Sequence, residues 1–335
     1  MDNGGNRTRQ GYARKRILKL AGHFFWGALL KPPYRKPALS YDQQIAKLRE
    51  RGMIVADENA ARFYLQHLNY YRLGAYWLPF ETDHKTHQLK SGTRFEDVLA
   101  LYNFDRELRL LVMDAMERIE VSVRAQWAYQ LGHLHGAHAQ LASGITRNPH
   151  HWQHNLDDLT KEVKRSEETF IQHFANNYAE TMPPVWAVCE VMSLGLLSRW
   201  YRNLKPKHTR QKIANAYGID ETVLESWLHH LAIVRNICAH HSRLWDRSFT
   251  ILPQAPRSKP TCLVNAFVQG SRKPYNTIVM VLYLMDVVSP QHHWRSRLLA
   301  LLAKNASVLS AMDFPADWNK QLIWQTINAQ SEQSI

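Results

Sequence analysis

The longest helical pattern in the chain, GTRFEDVLALYNFDRELRLLVMDAMERIEVSVRAQWAYQL, most limits what the sequence can fold into. From Phe95 to Leu131 its apolar residues recur at three- and four-residue intervals, the spacing of one helix face. Thr93 and Glu96 offer a capping box at its start and Gly132 a stop. Shorter helical signals lie on both sides. Ser40 can cap DQQIAKLRERG, which stops at Gly52. Asp57 can cap 58–77, and Pro79 ends that run. Between about 133 and 155 the chain is loop-like. Helices are expected near 156–178, 184–204, 208–217 and 221–241, then 274–288, 292–311 and 316–328. The proline-bearing 247–273 reads as a long connection. Alternating strand patterns are scarce and there is no internal repeat, so the expected class is all-α.

With 45% hydrophobic residues among 335, the chain can bury a sizeable core. Its net charge is +13, which favours polyanionic partners, nucleic acid or an anionic membrane surface. Most of that charge is local. Before residue 37 there are nine cations, Arg14, Lys15 and Arg16 among them, against Asp2 alone, so +8 of the +13 lies there. Residues 1–37 are expected to be a loose basic arm, 38–328 a single helical domain and 329–335 a tail. The arm also carries HFFWGALL. It is expected to hold RNA without sequence preference, with contact to a membrane surface as the rival reading. Cys189, Cys238 and Cys262 show no paired spacing, which points to a reducing cytoplasm. No apolar run reaches the roughly 18 residues of a transmembrane helix.

The stretch AIVRNICAHHSRLW, Ala232 to Trp245, interrupts an amphipathic helix with polar groups. Asp220 caps this helix. Leu224, Trp227, Leu228, Leu231 and Cys238 form one apolar stripe, and Arg235 falls on it, where an unpaired charge is costly. Asn236 and His240 share the other side with His229, Ile233 and Ile237. A helix apolar on two sides can face its own core and a partner at once. An imidazole near neutral pH can move a proton in phosphodiester chemistry, and a guanidinium can hold phosphate oxygens. Asn236 can orient either. RNA brings its own nucleophile, the 2′-hydroxyl, so neither metal nor cofactor is called for. One His supplies only an acid or a base, whereas two copies across a dimer axis supply both. The spacing by itself also fits a helix end whose dipole favours Arg and His.

RNICAHHSRLW resembles the Arg-Asn-x3-His signature of HEPN domains, found in many prokaryotic ribonuclease toxins and in type VI CRISPR effectors. HLNYYRLGAYWLPF, GTRFEDVLALYNFDRELRLLVMDAMERIEVSVR, SLGLLSRWYRNL and FPADWNKQLIW narrow the resemblance to the Abi-like (AbiD/AbiF) abortive-infection family, over roughly 38–325. The resemblance implies an α-helical HEPN-type bundle with additional flanking helices, metal-independent RNA cleavage in a homodimer, and phage defence. Arg235, Asn236 and His240 fall on the family's active-site motif. The family often has Asn where this chain has Asp246, so that position receives no role. An antitoxin and a regulatory small RNA are further partners to expect.

Around this group, Glu120 is expected to neutralise and aim Arg235, with His241 in support. Arg72 and Arg243 are candidate RNA contacts. HLNYYRLGAYW reads as core with one paired Arg, or as a base-stacking platform. Glu117, Glu120 and Arg124 also suit a solvated salt-bridge face. The His-rich loop 133–154 reads as solvated, with no Cys or carboxylate placed for a metal. No Walker A, HExxH or dinucleotide fingerprint is present. The rival to the enzyme is a non-catalytic RNA-binding module that holds a structured small RNA.

Overall fold

The computed structural model describes Pro33 and residues 36–325, so Arg14, Lys15, Arg16 and most of the basic arm lie outside the described residues. The class is all-α, as the periodicity predicts. The described residues form thirteen α-helices, several 3-10 turns and one antiparallel hairpin, β1 (Glu81–Asp83) with β2 (Gln88–Leu89). No described helix is long and apolar enough to cross a membrane.

Capping explains where the elements begin. Ahead of α1 (Tyr41–Glu50), the Ser40 hydroxyl accepts the Gln43 N–H at 3.3 Å and the Gln43 side chain accepts the Ser40 N–H at 2.8 Å. The helix expected over 58–77 is two, α2 (Glu58–Leu68) and α3 (Tyr70–Trp77). Between them Asn69 sits at φ 63°, and its side chain accepts the Tyr71 N–H at 2.8 Å, so the chain turns and restarts.

The long helix is α4 (Phe95–His135), 41 residues, or roughly 62 Å. It begins later than expected. The Thr93 hydroxyl is spent on the Lys90 carbonyl at 2.8 Å, and Asp97 accepts the Arg94 N–H at 2.9 Å. Gly132 does not end it either. There the helix packs against Trp186 and runs on, and the stop is Gly136, at φ 89°.

The expected loop after it is shorter than its composition suggests. Asn148 caps α5 (Pro149–Arg165) by accepting the His150 and His151 N–H groups, and Pro149 takes the first helical position. α6 (Thr169–Asn177) and α7 (Val185–Val188) follow, then α8 (Leu194–Asn203), capped by Ser193. Next come α9 (Lys207–Asn215) and α10 (Glu221–Ala239). α11 (Thr261–Ala266) interrupts the 247–273 connection, before α12 (Pro274–Val288) and α13 (Trp294–Lys304). The described part of the expected last helix is instead two 3-10 turns, Trp318–Lys320 and Leu322–Trp324.

α4 is the spine, packed against α3, α9, α10, α12 and α13. α10 lies between α8, α9 and α4, with Trp227 fully buried. Its first turn is held by a buried ion pair: Arg210 Nε donates to Glu221 at 2.9 Å and Arg210 also donates to the Lys205 carbonyl at 3.1 Å.

His230, in the middle of α10, is fully buried. Its Nδ1 lies 2.7 Å from the Ile251 carbonyl and its Nε2 2.8 Å from the Thr277 hydroxyl, a pairing that suits the neutral ring. Burial pushes its pKa down to about 4. Because the folded value is below the unfolded one, this stabilisation is complete above about pH 6.5 and lost as pH falls toward 4. The loss should be on the order of 3 kcal/mol. Urea unfolding midpoints of wild type and His230→Gln, compared between pH 7 and 4.5, test this; parallel pH profiles would refute it.

Candidate functional site

Nearly all of α10 is covered by the chain's own elements. Its open stripe is narrow: His229 and Ile233 are half-buried, and Asn236 and His240 are exposed. Ile237, expected on the partner-facing side, is buried within the protomer. Arg235 does not lie on the buried stripe as expected. It is half-buried, and its guanidinium reaches the Asn236 side-chain oxygen at 3.4 Å. The apolar members of the expected stripe, Leu224, Trp227, Leu228, Leu231 and Cys238, are all buried, but Arg235, in the last turns of the helix, meets solvent, which removes the cost of burying it. Arg235, Asn236 and His240 thus share one open end of an otherwise enclosed helix.

That end has a specific shape. His240 is the C-cap, and His241 follows at φ 55°, a left-handed conformation that glycine usually supplies. The His241 N–H donates to the Cys238 carbonyl at 3.0 Å and the Ser242 N–H to the Ile237 carbonyl at 2.9 Å. These two bonds form a Schellman motif, and they leave both imidazoles exposed, on adjacent residues that bracket the helix end.

The turn is held from beneath by Asp105 of α4, which is fully buried. One carboxylate oxygen accepts the Leu244 and Trp245 N–H groups at 2.9 and 2.6 Å. The other accepts the Tyr76 hydroxyl at 2.6 Å and Arg109 Nε at 3.1 Å. Burial and the adjacent Asp105 charge push the Tyr76 phenol well above its ordinary range, so it stays a proton donor. α3 adds two further links. Arg72 donates to the His241 carbonyl at 2.8 Å, and the Ala75 carbonyl accepts from Arg243 at 2.5 Å. Arg243 also lies 5.8 Å from the Trp245 ring centre.

The expected residues therefore separate. Arg235, Asn236, His240, His241 and Arg72 come together, Arg72 with an exposed side chain. Arg243 is a half-buried clamp between the turn and α3. Glu120 does not aim Arg235. It pairs with Arg124, one helical turn along α4, and Arg124 also donates to the Met192 carbonyl at 2.6 Å. Among the histidines of 133–154, His133 goes to the Tyr129 carbonyl, His135 to the Thr209 hydroxyl and His154 to Asp158, so they do not converge. Asp105 escaped the sequence reading as a site residue. Its signal was an acid among buried apolar positions, Leu101, Phe104, Leu108 and Leu111, of the same helix.

These features define an all-α protein with an Arg-Asn-His group at one open helix end, braced by a buried carboxylate. A family profile described as Abi-like protein matches residues 63–246, more than half of the chain, from within α2 to the turn after α10. The chain belongs to the Abi-like protein family. No curated protein and no solved structure matches it.

Proposed function

We propose that this protein is a metal-independent endoribonuclease of HEPN type, acting in the cytoplasm as a homodimer in phage defence. The observation that carries the reading is the open stripe of α10: the part left to solvent holds Asn236 and His240, with Arg235 bonded to Asn236 beside them. His240 takes the proton from a ribose 2′-hydroxyl, or returns one to the departing 5′-oxygen. Arg235 stabilises charge gathering on the phosphate oxygens, and Asn236 holds its guanidinium in place. The attack is internal, so the products are a 2′,3′-cyclic phosphate and a 5′-hydroxyl.

The motif supplies one such His per protomer, His240, since His241, though exposed beside it, falls outside the Arg-Asn-x3-His spacing. The dimer proposal rests on this need for both an acid and a base, because the apolar sides of α10 are already filled by α4, α8 and α9. The stripe of His229, Ile233, Asn236 and His240 is the surface a second copy would meet across a twofold axis. Incubation with mixed RNA in EDTA should yield cyclic phosphate ends, and light scattering should give twice the 39.1 kDa chain mass. Activity lost to chelator and restored by magnesium would refute the chemistry. A stable, fully active monomer would refute the dimer, and RNA bound without cleavage would leave the binding module as the function.

A further inference from the structure

α3 is a wall with two faces. One faces the turn after α10, through Arg72 and the Ala75 carbonyl. The other faces a groove of about 1220 Å³ that runs between α3 and α1. This exceeds the roughly 300–1,000 Å³ that a small molecule fills and suits a segment of polymer.

The lining combines rings and cations. Tyr41 is exposed, Tyr70 is half-buried and Trp77 backs them, with the Tyr70 and Trp77 ring centres 4.9 Å apart, edge to face. Lys36, Lys47 and Arg51 line the same groove, and Arg51 donates to the Tyr70 hydroxyl at 2.8 Å, which steadies that ring. The acid in the lining, Glu81, has a buried side chain turned to His84 at 2.6 Å and His87 at 3.1 Å. Cations with no ion pair among the described residues are thus set beside aromatic surface, with the carboxylate occupied elsewhere. Asn69, at φ 63°, is the bend that starts α3 and presents Tyr70 to the groove, a left-handed position held by a side-chain cap.

We propose that this groove binds unpaired nucleotides of the RNA next to the phosphate presented to His240. Bases stack on Tyr41 and Tyr70, and Lys36, Lys47 and Arg51 hold the phosphates. The proposal rests on the ribonuclease reading and adds a substrate class to it, single-stranded RNA. A duplex keeps its base faces stacked on each other and cannot use these rings. α3 borders the groove through Gly74 and Ala75 and the turn after α10 through Arg72 and the Ala75 carbonyl, so a strand leaving the groove across α3 comes to the turn that follows His240.

The test uses the full chain carrying His240→Ala, so that RNA survives. Short fluorescent single-stranded RNA should bind more tightly than a duplex of equal length. Strands carrying 4-thiouridine should cross-link under light to peptides within 36–51 and 65–81. Tyr41→Ala with Lys47→Gln, an exposed and a half-buried site of α1, should weaken single-strand binding about tenfold. Unchanged affinity in that variant, equal duplex binding, or cross-links confined to other surfaces would overturn the proposal. The two readings separate. If wild type leaves RNA intact while the silent protein still cross-links through the groove, the ribonuclease reading fails and the groove stands. If wild type cleaves and the groove variant alters neither affinity nor cut position, the groove alone fails.

Discussion

Alanine at His240 is expected to lower RNA cleavage by about 10²–10⁴-fold, the range contributed by a positioned acid or base. The fold survives the change, because the His240 side chain is exposed and its structural part, capping α10, is played by its backbone N–H. Arg235→Ala is expected to cost on the order of 10²–10³-fold through the loss of charge stabilisation at phosphorus. Both belong to one chemical unit, so the double variant should be little worse than His240→Ala alone. Rates on one labelled RNA, with melting curves alongside, measure this. A His240→Ala protein that cleaves within about tenfold of wild type would remove His240 from the mechanism.

Loss of the Asp105 carboxylate is expected to be the most destabilising single change near the site. Asp105→Ala leaves the Leu244 and Trp245 N–H groups, the Tyr76 hydroxyl and the Arg109 guanidinium without their shared acceptor. Breaking a buried pair of this kind costs about 3–5 kcal/mol, because the remaining charge stays buried. Asp105→Asn keeps the shape and one acceptor oxygen, so it should fall between wild type and alanine. Cleavage should decline with the fold in both, since the turn that carries His241 hangs from this carboxylate. Urea unfolding measures the order of the three proteins. An Asp105→Ala midpoint equal to wild type would show that the turn is held by other contacts.

The class of fold was legible because helical periodicity is a local property. The apolar spacing from Phe95 to Leu131, the Ser40 cap and the Asp220 cap all act within a few residues, and each appears where the sequence places it. Element ends were less legible. Asn69 breaks a continuous helical pattern at φ 63° by capping Tyr71, whereas Gly132 passes through α4 and the left-handed stop comes at Gly136. Asparagine and glycine permit a helix to stop without requiring it, so the periodic pattern leaves the choice open.

The same division holds at the site. The sequence alone determined that Arg235, Asn236 and His240 lie along one helix, since their spacing is a matter of helical geometry, and the family match over 63–246 follows from sequence as well. Tertiary structure decided which of those side chains meet solvent, that Arg235 bonds Asn236 rather than Glu120, and that Glu120 belongs to Arg124. It also brought Arg72 and Asp105 to the turn after α10, from 169 and 139 residues away in the chain. The physical reason is reach. Periodicity and capping act over one or two turns of helix, whereas an ion pair or a buried acceptor is settled by whichever groups the packed helices carry to within about 3 Å of each other.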